Sequence, residues 1–580
     1  MHDTVLNPAE QAAEEARARV YASIDQGRSF LVEAGAGAGK TESLIKALRY
    51  LIENRGVDLL RRNQRVACIT YTNVATDEIK SRTDGHPAIL SSTIHSFCWT
   101  LIKDFQPQMR ERLPSLPGWP ERLAEAGGIG TRRIEYELGY PRAKKEEQHI
   151  SLGHDDVISL TVALMQQTKF RNLFAARYPI LLIDEYQDTN EKFAKALASH
   201  FLDGGEGPLI GFFGDHWQKI YGDGCGKIEH TRLLRINKKA NFRSVPVIVA
   251  ALNRMRPELP QEVTDPNAEG VVAVYHTNNW VGERRKGQHW GGDLPADVAH
   301  QYFLALKEGL SAEGWSFEAD KTKILMLTHK LLAAEQGYSS FADIFQYNDA
   351  FLKKEDPHIA FLLDTVESVC IAYENKRFGE MFAALGEHKP AIQSHGDKKE
   401  WASAMEVLLK LRSTGSIGAV LDHLRRTKHP RLPDAVERRA RELEQAEQVA
   451  TAEHSPSNDQ LRKLRDISYR EVIALDQFID GHTPFSTKHG VKGAEFDNVL
   501  VIFGRGWNQY DFNQMLEWAG NRIPSGKEPI FERNRNLFYV VCSRPKKRLA
   551  LLFTQKLSAQ AMNTLSLWFG QSSIKSIVAS

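Results

Sequence analysis

The residues from Ala34 to Thr41, Ala-Gly-Ala-Gly-Ala-Gly-Lys-Thr, have the composition and spacing of a loop that binds nucleotide phosphates. In such a loop the glycines let backbone N–H groups surround the phosphate oxygens. Lys40 would reach the β- and γ-phosphates of ATP, and the Thr41 hydroxyl would ligate Mg²⁺. A glycine-rich turn without a ligand is the alternative, and the Gly-Lys-Thr ending makes it the less favoured one. The predicted backbone contacts are Gly35, Ala36, Gly37, Ala38 and Gly39.

Two acids, Asp184 and Glu185, end the apolar run Ile180 to Ile183. Asp184 would hold Mg²⁺ through water, and Glu185 would orient or deprotonate the attacking water. Such a pair is a weak indication alone, but it gains weight in a chain that already carries a phosphate loop. Gln218 follows the apolar run Leu209 to Phe213, where it is placed to sense a γ-phosphate or the water beside it.

Four other residues suit the remaining parts of a bound nucleotide. Phe242 beside Arg243 suits an adenine face together with phosphate charge, although a plain core position is the alternative for the phenylalanine. Arg544 follows a helical segment and is placed to reach a γ-phosphate across a cleft. Gln11 can donate and accept hydrogen bonds at once, which suits an adenine edge, but a solvent-facing glutamine is locally the simpler interpretation.

Polar clusters end two further predicted strands. Tyr71, Thr72 and Asn73 form the first cluster, and Thr93 and His95 belong to the second. In doubly wound sheets ligands collect at the carboxyl ends of the strands. Small hydroxyls, histidines and aromatic rings at such ends hold phosphates and stack on bases. For His95 alone, a satisfied buried histidine is the simpler interpretation.

The composition is that of a globular protein of several domains. The chain has 580 residues, 42% of them hydrophobic, and a formal net charge of +2, so any nucleic-acid surface must be local. The five cysteines form no Cys-x-x-Cys pair, which argues against a zinc site or a disulfide framework and fits a reducing cytoplasm. No signal pattern and no long apolar run are present, so we expect a cytoplasmic protein without a membrane segment.

The elements that must position these residues fall into two groups. Short apolar runs followed by helical segments indicate parallel sheets with helices on both faces. Two stretches interrupt that pattern. Residues 99–153 gain proline, glycine and basic residues, and residues 336–481 have a mostly helical pattern rich in arginine and glutamate. We interpret both stretches as inserted helical subdomains; the mixed charge of the second indicates a solvated face rather than a DNA contact.

The ordered series of motifs resembles the superfamily 1 helicases of the UvrD/Rep/PcrA type. In that family the phosphate loop commonly begins with alanine, as it does at Ala34. The resemblance implies roles for residues already singled out: Gln11 reads adenine, Phe242 stacks on it, and Arg243 and Arg544 are paired arginine fingers. It also implies that single-stranded DNA lies against Tyr71, Thr72, Asn73, Thr93 and His95.

A fifth motif of the family matches the segment from Thr487 to Glu495, where Glu495 is expected near the ribose and Thr487 and His489 near DNA. One departure follows Gln218. The family has Ile-Tyr-Gly-Trp-Arg there, with the tryptophan stacked on a base, whereas this chain has Asp223 after Tyr221 and a glycine. We therefore expect weak base stacking at this point, unless Tyr221 or Trp217 supplies the ring.

The resemblance implies an α/β fold with two RecA-like P-loop domains, each with a parallel sheet and each interrupted by a mainly helical inserted subdomain. The predicted division is 1–98 and 154–235 for RecA-like domain 1A, 99–153 for inserted subdomain 1B, 236–335 and 482–580 for RecA-like domain 2A, and 336–481 for inserted subdomain 2B. The first RecA-like domain would supply Lys40, Thr41, Asp184, Glu185 and Gln218, and the second Arg243, Glu495 and Arg544.

The function implied is that of an ATP-dependent translocase or helicase with 3′→5′ polarity, which uses ATP and Mg²⁺ and acts on single-stranded or partly duplex DNA. Phrases such as Thr-Ile-His-Ser-Phe-Cys, beginning at Thr93, resemble the stand-alone helicase subunit of Gabija-type phage-defence systems, which implies a partner nuclease encoded by an adjacent gene. No nuclease signature is apparent in the chain itself.

Two alternatives stay open. One is a nucleotide- or DNA-sensing regulatory ATPase subunit that controls a partner nuclease without processive unwinding. The other is a metabolic kinase that uses the phosphate loop, which leaves the paired arginines unexplained.

Overall fold

The structure is a computed structural model that describes residues 6–136, 141–145, 147–205, 207–220, 222, 224–287, 291–326, 329–345, 348–386, 392–448, 456–480, 485–486, 494–505 and 510–578. The strands are β1 (Phe30–Ala34), β2 (Val66–Thr70), β3 (Ile89–Thr93), β4 (Arg133–Tyr136), β5 (His149–Leu152), β6 (Ile180–Asp184), β7 (Leu209–Gly214), β8 (Leu234–Lys238), β9 (Ala240–Asn241), β10 (Glu262–Val263), β11 (Val271–His276), β12 (Thr322–Met326), β13 (Phe485–Ser486), β14 (Phe496–Phe503), β15 (Pro545–Phe553) and β16 (Ile574–Ser576).

The helices alternate with these strands in both halves of the chain. They are α1 (Pro8–Asp25), α2 (Lys40–Arg61), α3 (Asn73–Arg82), α4 (Ile94–Ile102), α5 (Gln106–Arg112), α6 (Trp119–Glu125), α7 (His154–Met165), α8 (Thr168–Arg177), α9 (Glu191–Leu197), α10 (Pro246–Met255), α11 (Ala296–Ala312), α12 (His329–Gln336), α13 (Ser339–Ile344), α14 (Asp349–Leu352), α15 (Pro357–Ala360), α16 (Ser368–Glu374), α17 (Phe378–Ala384), α18 (His395–Thr414), α19 (Ile417–Thr427), α20 (Asp434–Gln448), α21 (Pro456–Asp466), α22 (Tyr469–Ile479), α23 (Phe512–Ala519), α24 (Glu528–Cys542) and α25 (Ala559–Phe569).

Two six-stranded sheets organise the described part of the chain. The first has the order β3-β2-β6-β7-β1-β8 and the second the order β13-β12-β14-β15-β11-β16. Every pairing in both sheets is parallel. The predicted α/β fold with two parallel sheets is therefore confirmed. β4 with β5, and β9 with β10, form two additional short ladders.

The central strands are apolar because each sheet is covered on both faces. Every residue of β1, β2, β6 and β7 is buried. Alternate residues enter different cores: Leu31 and Phe212 point into one hydrophobic cluster, while Phe30 and Phe213 point into another. The same alternation holds in β14, where Leu500 and Val501 belong to different clusters.

Both predicted insertions pack against the faces of these sheets. Trp119 and Ile150, from the first insertion, share a hydrophobic cluster with Leu31 of β1. Among its described residues, the first insertion contains the helices α5 and α6 and the β4–β5 ladder. Leu421 and Val472, from the second insertion, share a cluster with the second sheet. The exact domain boundaries stay a prediction; β8 lies in the first sheet and runs across the predicted boundary at 235/236.

The register of the first sheet brings the ends of its central strands together. Glu33 of β1 lies opposite Gly214 of β7, and Asp184 of β6 lies opposite Phe213 of the same strand. The loops that follow these three strands therefore start from one edge of the sheet, as expected for parallel strands. Among the described residues, no helix has both the length and the apolar character needed to cross a lipid bilayer.

Candidate active site

The glycine loop connects β1 to α2 in the predicted strand–loop–helix arrangement. Gly37 and Gly39 have φ values of +73° and +69°, which lie in the left-handed region where a Cβ atom is disfavoured. Gly39 directly precedes α2, so the free N–H groups of the first helical turn face the loop. The side chain of Lys40 is only 10% exposed, and its Nζ lies 3.9 Å from Oε1 of Glu185.

The two acids lie at the end of β6, beside that lysine. Asp184 is buried, and its Oδ1 accepts a 3.0 Å hydrogen bond from the backbone N–H of Glu185. Burial, followed by the charge of Glu185, raises the pKa of Asp184 to about 7, although Lys40 opposes the rise. Glu185 has φ +46°, a strained value for a residue with a side chain, and its Oε2 accepts a hydrogen bond from Gln187 Nε2 at 2.5 Å.

These residues fit a divalent cation and a nucleotide. Mg²⁺ prefers oxygen ligands, and Thr41 with Asp184 offers a hydroxyl and a carboxylate. Asp184 is buried and its neighbour Glu185 is half-buried, and burial together with the charge of Glu185 raises the pKa of Asp184; a bound Mg²⁺ would offset both effects. Thr41 and Asp184 are thus the residues that would hold Mg²⁺, and Lys40 with the loop amides would hold the phosphates.

Gln218 and Arg544 meet across the boundary between the two sheets. Gln218 is buried on the short turn His216–Gln218 after β7, and Arg544 lies just beyond α24. The Arg544 Nη2 donates to the Gln218 Oε1 at 3.3 Å. Two residues 326 positions apart in the sequence thereby touch, as expected if both face one γ-phosphate.

Arg243 follows β9 and lies beside the segment that carries Arg544. Its Nη1 donates to the carbonyl of Ser543 at 3.0 Å, and its Nε donates to Glu495 Oε2 at 3.0 Å. Lys546 contacts the other oxygen of Glu495 at 2.9 Å. Burial opposes it, but these hydrogen bonds and charges lower the pKa of Glu495. The structure therefore brings the two predicted arginine fingers and Glu495 together.

The segment around Phe242 contacts the glycine loop directly. The Phe242 N–H donates to the Gly37 carbonyl at 2.8 Å. The ring remains 45% exposed, and a Cβ added to Gly39 would lie 3.8 Å from it. Phe242 is therefore not a core residue, and a partly exposed ring next to the phosphate loop suits an adenine stack. Gln11 is exposed on α1, a helix that packs against β9 immediately before Phe242.

The predicted DNA contacts that the structure describes follow β2 and β3, at the same sheet edge. Tyr71 is 45% exposed, Thr72 caps α3 by accepting from Ala75 N–H, and Asn73 begins that helix. Thr93 ends β3, and its hydroxyl donates to Ser96 Oγ at 3.1 Å.

His95 is half-buried against a second histidine ring. Its ring centroid lies 4.4 Å from that of His154. Burial and the neighbouring His154 lower the pKa of His95 to about 4, so the ring is neutral near pH 7. Several predicted DNA contacts lie outside the described residues. They are Tyr221, Thr487 and His489; Asp223 and the rest of the fifth motif before residue 494 lie outside them as well.

Sequence reasoning missed a buried ionic cluster beneath the loop, formed by Glu33, Asp215 and Arg256. Arg256 is 1% exposed and contacts both acids, at 2.8 Å and 2.6 Å. A charged Glu33 inside an otherwise apolar strand was the available signal. The position of Arg256, which follows α10 and belongs with the second sheet, had no sequence signal.

Comparison with known proteins agrees with this geometry. A family described as an AAA domain matches residues 17–223. The chain is 24% identical to the Gabija protein GajB of Bacillus cereus, over 92% of this chain and 94% of that protein. It is 25% identical to the ATP-dependent DNA helicase PcrA of Staphylococcus aureus over 44% of this chain, and 24% identical to PcrA of Bacillus subtilis over 49%.

The chain spans only 40% and 44% of the lengths of these two PcrA proteins, so the likeness to GajB is the more complete one. The Gabija and PcrA relatives belong to the two groups that the motifs of the sequence resemble. They support ATP binding and a helicase-like ATPase. Together they support a likeness of this chain to the UvrD/PcrA-like superfamily 1 helicases, and among them to the Gabija type.

Proposed function

We propose that the protein hydrolyses ATP with Mg²⁺ to drive its movement along single-stranded DNA in the 3′→5′ direction. The observation that carries the proposal is the contact between Gln218 of the first lobe and Arg544 of the second, next to the glycine loop. Here the first lobe means the part of the chain built on the first sheet, and the second lobe the part built on the second sheet. A site completed by both lobes makes hydrolysis depend on their arrangement, which is what a translocase requires.

Each side chain has a distinct task in this proposal. Lys40 neutralises phosphate charge, Glu185 accepts the proton of the attacking water, and its neighbour Asp184 would hold Mg²⁺. Bound Mg²⁺ would supply charge neutralisation for the phosphates. Gln218 orients the water or the phosphate oxygen beside it, and Arg243 and Arg544 stabilise the charge that spreads over the transferred group.

DNA would lie across the sheet edge that carries Tyr71, Thr93 and His95, on the same side as the loop that follows β1. Because these residues lie on the loops after β2 and β3, DNA bound to them can bias the arrangement of the first lobe and thereby stimulate hydrolysis. The same proposal includes a partner nuclease, a role in phage defence and a location in the cytoplasm, supported by the likeness to a Gabija protein.

ATP turnover with and without single-stranded DNA tests the proposal. Lys40→Ala should weaken nucleotide binding because a charge on the phosphates is lost, whereas Glu185→Gln should keep binding and stop turnover. Lys46→Ala, on an exposed face of the same helix, and Glu191→Gln, an exposed acid on α9, are matched controls. Wild-type turnover by Glu185→Gln would contradict the assignment.

A regulatory ATPase that controls a nuclease without processive unwinding is the second candidate, and Asp223 favours it. An acidic residue stands where the family places a stacking tryptophan, and it adds negative charge near DNA phosphates. Strand displacement by the isolated protein separates the two candidates. DNA-stimulated turnover without displacement would favour the regulatory one.

A further inference from the structure

Arg256 is a buried cation of the second lobe held between two acids of the first. It lies at the end of α10, and its Nη2 contacts Glu33 Oε1 at 2.8 Å while its Nη1 contacts Asp215 Oδ1 at 2.6 Å. The side chains of all three residues are at most 4% exposed. Glu33 is the last residue but one of β1, the strand before the glycine loop, and Asp215 follows β7 directly. One guanidinium thus connects the end of β1, which leads into the glycine loop, with the turn that follows β7.

The surroundings of Arg256 are built for a fixed positive charge. The ligand atoms of Glu33, Asp215 and His216 lie within 4.8 Å of one another, a spacing that suits a cation. The guanidinium fills this place, and the rings of Trp217 and Tyr539 lie 5.2 Å and 5.9 Å from it. Burial would lower the pKa of Arg256, but Asp215, Tyr539 and Glu33 outweigh it and raise that pKa.

The acids are held equally firmly. Glu33 accepts hydrogen bonds from Tyr186 Oη at 2.7 Å and contacts His216 Nδ1 at 2.7 Å. Burial alone would raise the pKa of Glu33, yet the hydrogen bond to His216 and the charges of His216 and Arg256 lower it to about 2. These contacts favour the ionised form of Glu33, so Glu33 and Arg256 form a charged pair near neutral pH.

From Asp215 the contacts lead to the γ-phosphate side of the site. The other oxygen of Asp215 accepts from Gln218 Nε2 at 2.8 Å, and Gln218 Oε1 accepts from Arg544 at 3.3 Å. Both neighbours demand the same amide orientation, since a flipped amide would set its oxygen against a carboxylate and its NH₂ against a guanidinium. Asp215 therefore fixes the direction of the Gln218 carbonyl, and Arg256 fixes Asp215.

We propose that Arg256 is a positioning residue for ATP hydrolysis, which holds Gln218 in its working orientation through Asp215 and does so only when the second lobe contacts the first. The inference rests on the proposed ATPase function. Because Arg256 and Arg544 come from the same lobe, separation of the lobes removes at once the arginine that holds Asp215 and the arginine that donates to the Gln218 Oε1. Gln218 then keeps only its hydrogen bond to an Asp215 that has lost its cation. Gln218 thereby becomes competent only in the arrangement that also delivers the arginine finger.

A double-mutant cycle between Arg256 and Gln218 tests the inference, with turnover measured per molecule of folded protein. Arg256→Met and Gln218→Ala should each lower kcat by about 10²-fold, because a misplaced group costs that order of rate. The double variant should be no slower than the slower single variant, since both changes disable the same group. Binding of a fluorescent ATP analogue should change little in any of them.

Arg254→Met is the matched control. Arg254 is two residues away, is exposed, and donates to the carbonyl of Trp568 at 2.6 Å without touching the site. It should leave kcat unchanged. Arg256→Lys keeps the buried charge but cannot contact both acids with a fork, so it should fold and still show the low kcat. This variant carries the test if Arg256→Met does not fold.

The outcomes separate three situations. A wild-type protein without ATP turnover would overturn the proposed function itself. If the wild type turns over but Arg256→Lys has wild-type kcat, or if the effects of Arg256→Met and Gln218→Ala multiply, Arg256 is a structural residue and the inference is wrong. Coupled losses of kcat with retained nucleotide binding support it.

Discussion

Two arginines, Arg544 and Arg256, are equally buried, but replacement by methionine should change the free energy of unfolding little for Arg544 and greatly for Arg256. Each is 1% exposed. Arg256 lies between two carboxylates, whereas no carboxylate among the described residues forms an ion pair with Arg544. Burial, reinforced by the charge of Arg243, lowers the pKa of Arg544 from 12.5 to about 9. The protein therefore carries the Arg544 charge at a cost to its stability.

The size of that cost follows from the pKa. The fall of the pKa from 12.5 to about 9 corresponds to roughly 5 kcal/mol of unfavourable free energy. Against it stand hydrogen bonds from Arg544 to Val540, Ala494, Gln218 and Ser543. At about 1 kcal/mol each, these bonds contribute about 4 kcal/mol. Arg544→Met should therefore change the free energy of unfolding by no more than about 2 kcal/mol in either direction.

Arg256→Met should behave differently because it leaves Glu33 and Asp215 as buried charges without their cation. Such a loss typically costs about 3–5 kcal/mol. Urea denaturation of the nucleotide-free protein, with wild type and both variants side by side, measures the contrast. ATP turnover supplies the second half of the prediction: Arg544→Met should bind nucleotide and hydrolyse it about 10³-fold or more slowly.

Two results would refute this reasoning. Equal destabilisation by both substitutions would show that Arg544 is held by interactions stronger than its hydrogen bonds, so that its burial carries no net cost. Near-wild-type turnover by Arg544→Met would remove it from the proposed site altogether. For Arg544→Met we expect a melting temperature close to that of the wild type together with slow ATP turnover.

Three further predictions concern the sheet edge and the loops around it. Single-stranded DNA should stimulate ATP turnover and bind with a steep dependence on salt, because phosphate contacts dominate; Tyr71→Ala should weaken that binding by about tenfold, measured by anisotropy of a labelled oligonucleotide. Asp184→Asn should abolish turnover yet stabilise the nucleotide- and Mg²⁺-free protein. The pKa of Asp184 is about 7 in the folded protein against an ordinary value of 3.8, so the stability of the wild type falls as the pH rises from 3.8 to 7. The gain in the free energy of unfolding, measured by denaturant titration, should therefore be smaller at pH 5 than at pH 8. Asp223→Trp should improve duplex unwinding by the isolated protein, and robust unwinding by the wild type without such a gain would contradict the idea that this chain grips DNA weakly.

The local sequence determined the elements and the chemistry of the first lobe. Apolar runs bounded by glycine or acids predicted β1, β6 and β7, because a strand that is buried on both faces consists mostly of apolar residues. The left-handed turns at Gly37 and Gly39 follow from glycine itself. The order of the motifs was enough to recognise the family, and the Gabija and PcrA relatives confirm that resemblance.

The residues that unite the two lobes were decided only by the tertiary structure. Gln218 and Arg544 meet because the second lobe packs against the glycine loop and the turn after β7, and a contact over 326 residues leaves no local pattern. Arg256 is the clearest case. In the sequence Arg256 is an ordinary arginine at the end of a helix. Its role follows from its contacts with Glu33 of β1 and with Asp215, the residue after β7. A buried charge is tolerated only where its partners converge, and convergence is a property of the fold.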